Sequence, residues 1–242
     1  MKNLVRSATY EFRLLRDLLR RKSYLGAASR ASIIDQFHRF YYDSGSLGQT
    51  WMNTSWLGVP TQKCPFDLWV YQEILYEQRP DVIIESGTCL GGSALFLASI
   101  CDLLDHGRVI TVDIEDKKVP VRHRRVTYLH GSSTSEAVVQ RVAGSIGTAE
   151  KVMVILDSDH SKEHVLNELR LYSRYVTPRC YLIVEDTNLG GRPAAPDFGP
   201  GPAEAVQQFL DGNQDFVVDR SREKFYLTFN PGGFLRRVKP DV

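Results

Sequence analysis

The sequence predicts an α/β protein of the Rossmann-like type. Its mostly parallel seven-stranded sheet ends in a C-terminal antiparallel hairpin, and an N-terminal helical extension precedes it. From residue 81 onward, short β-branched runs alternate with helical stretches, which is the pattern of repeated βαβ units. Near the end of the chain, two strand-like runs follow each other with few polar residues between them, which is typical of a hairpin. The 242 residues also suit one large domain of this class.

Composition and charge argue against several classes of protein. The hydrophobic content of 43% and charged content of 24% are ordinary for a globular protein, and the net charge of +1 gives no indication of a nucleic-acid partner. The four cysteines lack the spacing of a zinc site or a disulfide framework. No apolar run is long enough for a transmembrane segment, and the N-terminus does not resemble a signal peptide. We therefore expect a cytoplasmic protein.

The first 60 residues form the predicted N-terminal helical and aromatic extension, and residues 61–242 form the predicted catalytic domain. Residues 1–25 carry leucine and phenylalanine at helical spacing among many basic side chains, which indicates a basic amphipathic helix. Such a helix can contact an anionic membrane surface, bind a partner subunit, or pack on its own domain. Residues 36–60 are rich in aromatic residues and glycine, and they predict an ordered loop that can line an acceptor pocket. This extension favours a homo-oligomer.

The elements of the predicted catalytic domain follow one another in regular alternation. Helical patterns occur at residues 66–78, 92–104, 134–146, 161–175 and 202–212. Runs rich in β-branched residues predict parallel strands at 81–86, 108–114, 125–131, 151–158 and 180–186. The two runs of the predicted hairpin are residues 215–220 and 224–230.

A glycine-rich turn follows the first of the parallel strands. The run ESGTCLGGS, residues 85–93, leads directly into a helix. Gly87 and Gly91 allow a sharp turn and the close approach of a ligand, while the helix start offers unpaired N–H groups. We therefore expect a nucleotide-like ligand here, with Thr88 and Ser93 among its binding residues. The spacing differs from the GxGxxG of dinucleotide enzymes, which makes an NAD-dependent oxidoreductase the less favoured interpretation.

Residues at three strand ends suit the parts of such a ligand. Glu85 is placed to bind the amino group of an amino acid, and its alternative role is to cap the glycine turn. Asp113 ends the second parallel strand, where this fold binds the hydroxyls of a ribose. Ser132 and Ser133 follow the third strand, where they would lie beside an adenine ring or cap the next helix.

The densest group of acidic residues follows the fourth and fifth parallel strands. Asp157 and Asp159 lie in the run LDSDH, and Glu185 and Asp186 lie in the run VEDTN. Because neighbouring parallel strands end in one crevice, we expect carboxylates from both runs to face each other. Such carboxylates need a cation, and an all-oxygen set favours Mg2+ or another hard divalent ion. The alternative is that they cap helices and pair with Lys or Arg.

His160 lies three residues beyond Asp157 and therefore close to the predicted metal site. An imidazole of near-neutral pKa can take the proton of a hydroxyl whose acidity a metal has raised. A helix cap or a solvated side chain is the alternative role. The glycine- and proline-rich segment 189–205 is expected to cover an acceptor site or to be a plain surface crossing.

Five motifs in order resemble one protein family. They are WLGVPTQKCPFDLWVYQEIL (56–75), ESGTCLGGSA (85–94), LDSDH, VEDTN and FYLTFNPGGFL (225–235). Together they resemble the cephalosporin hydroxylase family, whose members have a class I S-adenosylmethionine-dependent methyltransferase fold. The resemblance covers about residues 50–236. The sequence is also similar, more distantly, to metal-dependent macrolide sugar O-methyltransferases and to catechol O-methyltransferases.

The resemblance implies S-adenosylmethionine and Mg2+ as cofactors, and an O-methyltransferase that acts on a hydroxyl of a sugar or natural product. It implies that Glu185, Asp186 and an aspartate of LDSDH are the metal ligands. Both Asp157 and Asp159 are retained for that position, with Asp157 also in the catalytic and cofactor-binding sets. His160 matches the base of the sugar enzymes.

Two other functions are less favoured than methyl transfer. The family name indicates a hydroxylase, but the sequence offers no His/His/carboxylate set for catalytic iron, so methylation is preferred. The other alternative is a non-catalytic protein that binds the cofactor and assists a natural-product oxygenase, because such a protein would carry the same motifs.

Overall fold

A seven-stranded sheet lies at the centre of the fold. The computed structural model describes residues 12–17, 19, 26–116 and 122–238. Its strands are β1 (Ser55–Trp56), β2 (Val59–Pro60), β3 (Val82–Ser86), β4 (Arg108–Asp113), β5 (Val126–His130), β6 (Val152–Leu156), β7 (Tyr181–Val184), β8 (Phe216–Val218) and β9 (Phe234–Arg237). Strands β1 and β2 form a small antiparallel pair, and the other seven form the large sheet.

The strand order of the large sheet is β5-β4-β3-β6-β7-β9-β8. Strands β3 to β7 are parallel, while β9 runs antiparallel to both β7 and β8. The predicted mostly parallel sheet with a C-terminal antiparallel hairpin is therefore confirmed. The chain builds outward from β3 to β5 and then returns to β6, so the order reverses between β3 and β6. Ligands of open α/β sheets bind at the carboxyl ends of the strands beside such a reversal.

Helices cover both faces of this sheet. They are α2 (Pro65–Gln78), α3 (Gly92–Leu103), α4 (Glu136–Ile146), α5 (Lys162–Tyr172) and α6 (Pro202–Asp211), whereas α1 (Ala27–Asp43) belongs to the N-terminal extension. Each central strand is buried on both faces, because alternate side chains enter separate cores. Ile83 packs in one apolar cluster and Ile84 in the other. The doubly covered strands form a rigid support for the loops at their carboxyl ends.

The second strand of the hairpin lies at a different position from the prediction. Residues 224–230 were expected to form it, but β9 begins only at Phe234. Tyr226 has a left-handed backbone (φ 65°) and is 71% exposed, so the chain cannot continue there as a regular strand. Leu227 and Phe229 are buried in a separate cluster away from the sheet. The alternating apolar residues of this segment are therefore buried in a small separate cluster and do not form a strand of the sheet.

The N-terminal extension also differs in detail from the prediction. Most of the helix expected over residues 1–25 lies outside the described residues, although residues 12–17 and 19 are helical and exposed. The irregular region expected from residue 36 begins later, because α1 continues to Asp43 and the first glycine after it is Gly45. No helix in the described part of the chain has the length and apolar character needed to cross a membrane.

The extension packs on the sheet domain through aromatic and polar contacts. The rings of Tyr42 and Trp51 surround Phe229, with centroid distances of 4.8 and 5.8 Å. Asn188 donates a hydrogen bond to the buried His38 imidazole at 3.0 Å. Burial lowers the pKa of His38 to about 4, so the ring is neutral and can accept this bond. The domain boundary after residue 60 stays a prediction.

Candidate active site

Gly87 forms the turn at the tip of β3. Its φ of 91° lies in the left-handed region, where side chains are strained. A Cβ atom at this position would lie 1.8 Å from the carbonyl oxygen of Asp157 at the tip of β6. Gly91 has a φ of 84° and precedes the first residue of α3. The glycine turn therefore brings the tips of β3 and β6 into direct contact, at the point where the strand order reverses.

A cavity of about 490 Å³ opens beside this turn. Its volume lies in the range of small-molecule sites. The lining residues come from the tips of β3, β4, β5 and β6 and from α5, and they are Gly87, Cys89, Val112, Asp113, Ile114, Glu115, Ser132, Ser133, Asp157, Ser158, Asp159 and His164. Five residues predicted to bind the cofactor are among them, namely Gly87, Asp113, Ser132, Ser133 and Asp157.

The other predicted cofactor residues lie beneath the turn. Glu85, Thr88 and Ser93 are buried. The hydroxyl of Thr111 donates to Oε2 of Glu85 at 2.6 Å, and the hydroxyls of Thr88 and Thr111 are 2.7 Å apart. Oε1 of Glu85 is buried without a hydrogen-bond partner among the described residues. Such an oxygen can accept a hydrogen bond from a ligand N–H group, which suits the amino group expected here.

Asp113 has a preset orientation at the end of β4. Its Oδ2 accepts a hydrogen bond from the Cys89 backbone N–H at 2.7 Å, and its Oδ1 accepts one from the Glu115 N–H at 2.8 Å. Each carboxylate oxygen can accept a second hydrogen bond. The residue lines the cavity, so its free acceptor sites suit the hydroxyls of a ribose.

Ser132 and Ser133 do not cap the helix that follows them. Ser135 is the N-cap of α4 and accepts a hydrogen bond from the N–H of Val138. The hydroxyl of Ser133 instead lies 3.1 Å from Nε2 of His164, a cavity residue from α5. Both serines therefore line the predicted adenine side of the cavity.

Asp157, His160 and Asp186 converge at one end of the site. Each of these side chains offers a metal-ligating atom, and the three atoms lie within 4.8 Å of one another. Nε2 of His160 is 3.1 Å from Oδ2 of Asp186 and 4.0 Å from Oδ1 of Asp157. The two carboxylates at this spacing fit a hard divalent cation, and the imidazole of His160 lies directly beside them.

Asp159 and Glu185 do not join this group. Asp159 is exposed, and its Oδ1 accepts a hydrogen bond from the backbone N–H of Ser161 at 2.7 Å. Glu185 is buried, and both of its oxygens have protein partners. Oε1 accepts from the hydroxyl of Tyr71 at 2.9 Å, and Oε2 lies 2.7 Å from Nζ of Lys63. The structure thus brings together two of the four carboxylates expected to bind the metal.

Lys63 is the functional residue that the sequence reasoning missed. Its ammonium is buried and contacts both Glu185 and Oδ2 of Asp157. Burial alone would lower the pKa of Lys63, but the neighbouring carboxylates outweigh burial and raise it, so the side chain is charged. No spacing rule connects this loop residue with an aspartate 94 positions later. The one available signal was its place in the first family motif, in the run TQKCPFD.

Burial and neighbouring charges shift the pKa values of the titratable groups in this crevice. Burial raises the pKa of Asp157 and Asp186, although Lys63 and His160 offset part of that effect. Burial and the charge of Asp157 raise the pKa of Glu185 to about 7. Burial would lower the pKa of His160, but Asp186 and Asp157 outweigh it, so its pKa is raised. A cation between these carboxylates would neutralise them and return His160 toward its neutral form.

An aromatic wall stands beside the carboxylates. Burial, together with the charges of Asp186 and Asp157, raises the pKa of Tyr42 on α1. Its ring stacks on Trp51 with centroids 5.3 Å apart, and the indole N–H donates to the carbonyl of Tyr42 at 2.9 Å. The Asn188–His38 hydrogen bond joins α1 to the loop that follows Asp186. The extension therefore lies beside the carboxylate end of the site.

Comparison with known proteins places most of the chain in one family. The family profile described as rhamnosyl O-methyltransferase/CmcI matches residues 48–238. A rhamnosyl O-methyltransferase of Mycobacterium tuberculosis (strain H37Rv) is 39% identical over 213 residues, which are 85% of each chain. A rhamnosyl O-methyltransferase of Mycobacterium leprae (strain TN) is 38% identical over 212 residues, which are 85% of this chain and 91% of that protein.

Solved structures share the fold at lower identity. A CmcI structure with Mg and SAM has a TM-score of 0.61 and 20% identity, and the match covers 78% of each chain. The O-methyltransferase TomG of Streptomyces achromogenes, in complex with SAM, has a TM-score of 0.51 and 17% identity, covering 85% of this chain and 90% of that one. These similarities support the class I methyltransferase fold.

Proposed function

This chain belongs to the rhamnosyl O-methyltransferase/CmcI family, and from that premise we propose that it transfers a methyl group from S-adenosylmethionine to a sugar hydroxyl beside a divalent cation. One observation carries the proposal beyond the family assignment. Asp157, His160 and Asp186 converge directly beside a cavity that the Gly87 turn and Asp113 line. A cofactor site and a cation site thus meet at the tip of β6.

The cofactor would bind along the row of strand tips. When bound, S-adenosylmethionine supplies the electrophilic methyl group. Glu85 would accept a hydrogen bond from the ammonium of its amino acid part, because Oε1 of this buried carboxylate has no partner among the described residues. Asp113 would accept the hydrogen bonds of the ribose hydroxyls, and Ser132 and Ser133 would lie along the adenine. The Gly87 turn allows close contact with this ligand.

The cation would be held by Asp157 and Asp186, beside His160. When bound, Mg2+ or a similar ion supplies positive charge that makes a nearby hydroxyl more acidic. Nε2 of His160 would then accept the proton of the acceptor hydroxyl, while Tyr42 and Trp51 exclude water on the acceptor side. Positioning by these rigid strand ends contributes much of the acceleration in reactions of this kind.

The acceptor would enter along α1. A second cavity of about 400 Å³ lies between α1, the loop after β7 and the segment before β9. Asp35, Arg39, Arg192 and Tyr226 line it, and these groups suit the hydroxyls and faces of a sugar. The acceptor is therefore proposed to be the sugar part of a larger natural product.

A transfer assay tests the proposal. We expect labelled methyl groups to pass from S-adenosylmethionine to rhamnosyl glycosides in Mg2+ and not in chelator. Asp186→Asn should lower turnover at least about 100-fold, because a carboxylate of the proposed cation site is lost. The matched variant Asp211→Asn should keep most activity, since Asp211 is exposed at the end of α6, outside both the cofactor cavity and the converging group. Full turnover in chelator, or equal effects of the two variants, would contradict the cation site.

The same assay separates catalysis from the accessory role. A non-catalytic cofactor-binding protein would bind S-adenosylmethionine and transfer nothing to any hydroxylated acceptor. The relatives that match this chain over most of their length are named rhamnosyl O-methyltransferases, which favours the enzyme.

Self-association and location in the cell are separate parts of the proposal. Ile33, Phe37 and Phe40 lie on one face of α1 and are at least half exposed, which supports a homo-oligomer. A cytoplasmic location is proposed separately from self-association. Sedimentation of wild type against Phe37→Glu tests it, and we expect the variant to shift toward monomer. Flotation with anionic vesicles distinguishes the roles of the predicted N-terminal basic helix, because membrane contact would give binding that salt reverses, and contact with a subunit or with its own domain would give none.

A further inference from the structure

The second cavity is a neighbour of the proposed cation site and is separate from it. None of Asp157, His160 and Asp186 lines this cavity. His38 does line it, and the imidazole accepts the hydrogen bond of Asn188, which lies two residues after Asp186. A ring bound in the second cavity would therefore lie next to the reacting sugar and would not itself be methylated.

Hydrogen bonds connect the wall of the second cavity to the loop that follows β7. The backbone N–H of Asp186 donates to Oδ1 of Asn230 at 3.2 Å, and the hydroxyl of Thr187 donates to the carbonyl of Pro231 at 3.0 Å. Pro231 is itself a lining residue of the cavity. These bonds keep the spacing between the two sites fixed.

Helix α1 gives the scale of this spacing. His38 lines the second cavity, and Tyr42, one turn further along, stands in the aromatic wall beside the carboxylates. Four residues of an α-helix rise by about 6 Å. One glycosidic bond joins two rings at a comparable distance, so a reacting sugar beside the carboxylates would place the next ring in the second cavity.

Tyr226 presents an unused aromatic face at this cavity. The residue is 71% exposed, and among the described residues its ring makes no ring contact and its hydroxyl makes no hydrogen bond. Its φ of 65° is a left-handed conformation that side chains rarely adopt. Such strain persists where the surroundings enforce it, and it is common at ligand sites.

The neighbours of Tyr226 enforce this conformation. Phe225 stacks on Phe66 with ring centroids 5.4 Å apart, and Leu227 is buried in a separate apolar cluster. The backbone N–H of Tyr226 donates to the carbonyl of Glu223 at 3.2 Å. The turn is thus anchored on both sides of Tyr226, and its ring is left at the cavity.

Polar side chains of α1 line the same cavity. Asp35 and Arg39 lie one helical turn apart and are exposed, and neither has an ion-pair or hydrogen-bond partner within the described part of the chain. The carboxylate can accept from hydroxyls, and the guanidinium can donate to hydroxyl oxygens. An aromatic face together with such groups suits a pyranose ring, which has apolar C–H faces and a rim of hydroxyls.

We propose that the second cavity binds the ring that is glycosidically joined to the reacting sugar, with Tyr226 stacked on the face of that ring. The inference rests on the proposed function, because it assumes a sugar acceptor beside the cation site. A second pyranose and an aryl group both offer a flat face to Tyr226, whereas only a pyranose also uses Asp35 and Arg39. Tyr226 is thereby a specificity-determining residue for acceptors with two or more rings.

Acceptor binding tests the inference without methyl transfer. Calorimetry in S-adenosylhomocysteine and Mg2+ would compare methyl rhamnoside, phenyl rhamnoside and the methyl glycoside of a rhamnose disaccharide. We expect wild type to bind at least one two-ring probe about fivefold to tenfold more tightly than methyl rhamnoside, which matches the gain from a stacked ring pair. Tyr226→Ala should lose this preference, and Tyr226→Phe should keep it.

Tyr76→Ala is the matched control, because Tyr76 is 68% exposed on α2 and lies outside the cavity. It should keep the preference of wild type. Asp35→Asn distinguishes the two kinds of ring, since it should weaken binding of the disaccharide and leave phenyl rhamnoside unchanged. In a transfer assay, Tyr226→Ala should raise KM for the preferred two-ring acceptor and keep kcat within about twofold.

Melting temperature separates ligand contact from a structural role. Tyr226→Gly should melt at or above the temperature of wild type, because glycine adopts a left-handed backbone without strain. A clear fall would make the ring structural and overturn the inference. Equal affinity of wild type for all three probes, or a preference that survives Tyr226→Ala, would also overturn it. Transfer to methyl rhamnoside without a two-ring preference removes the inference alone, whereas no transfer to any rhamnoside removes the proposed function.

Discussion

At the residue scale, Gly87 lies where the neighbouring backbone leaves no room for a side chain. We expect Gly87→Ala to lower the free energy of unfolding by about 3 kcal/mol or more, because a Cβ would meet the Asp157 carbonyl at 1.8 Å on a left-handed backbone. Urea denaturation measures the loss. S-adenosylmethionine affinity should fall in the same variant, since the contact between the tips of β3 and β6 would open.

Gly144 provides the control for that substitution. It lies in α4, and a Cβ there would meet no atom within 4 Å. Gly144→Ala should therefore raise stability by about 0.5–1 kcal/mol through the better helix propensity of alanine. Equal stability of the two alanine variants would mean that the turn relaxes freely around a side chain.

Individual site residues differ in how far the sequence reveals them. Asp157 and Asp186 follow adjacent parallel strands, whose carboxyl ends lie at the same edge of the sheet. This arrangement alone predicts that the two carboxylates meet, and the structure brings them together. Asp159 lies two residues after Asp157, but its side chain accepts from the backbone N–H of Ser161 in the turn before α5 instead. Lys63 escapes any such rule, because its contact depends on how a loop folds back over the sheet.

At the element scale, Asp67 connects α2 to the segment before β9. Its carboxyl group accepts hydrogen bonds from the hydroxyl of Thr228 and from the backbone N–H of Phe229, and it is fully buried. Burial raises its pKa to about 7, although these two hydrogen bonds lower it in part. This connection holds the segment that the sequence had suggested as a strand. The alternation of apolar residues is the same in both cases, so periodicity could not distinguish them.

The raised pKa of Asp67 predicts a pH dependence of stability. The folded protein retains a proton on Asp67 up to about pH 7, whereas the unfolded chain loses it near pH 4. The folded state thus binds more protons between these values, and the free energy of unfolding falls as the pH rises from about 4 to about 7, by at most about 1.4 kcal/mol per pH unit. Urea denaturation in chelator at several pH values measures this slope.

Asp67→Asn is the variant that identifies the group. The amide oxygen can still accept from the Phe229 N–H, and the amide NH2 can donate to the Thr228 hydroxyl in the reversed direction. Because the amide does not titrate, we expect a shallower fall in stability over the same interval. Part of the slope should persist, because Glu185 also has a pKa raised to about 7. An unchanged slope in Asp67→Asn would assign the whole pH dependence to other groups.

At the scale of the whole molecule, the order of the strands could be predicted because repeated βαβ units leave few alternatives. Right-handed crossovers and a reversal in strand order place the binding crevice at the carboxyl ends of β3 and β6. The packing of the N-terminal extension could not be predicted, since it depends on contacts such as His38 with Asn188 between distant parts of the chain.

Ligand binding should stabilise the entire fold. S-adenosylmethionine at 100 times its dissociation constant should add about 2.7 kcal/mol to the free energy of unfolding. For a chain of 242 residues this corresponds to a rise in melting temperature of roughly 5–10 °C. Scanning fluorimetry measures the shift, with NAD as the matched control. We expect no shift with NAD, and comparable shifts with both ligands would argue against the cavity assignment.

The hydroxyl of Thr54 has a consequence for engineering acceptor preference by grafting. A chimaera joined between residues 60 and 61 would take Thr54 from one parent and Lys63 from the other, although this hydroxyl bonds both the N–H and the carbonyl of Lys63. Grafts that move the junction past the start of α2 would transfer the pair together. A donor extension without a hydroxyl at position 54 would lose both of these backbone contacts to Lys63. The ammonium of Lys63 would then no longer be held in position beside the carboxylates, whatever sugar preference the extension brings.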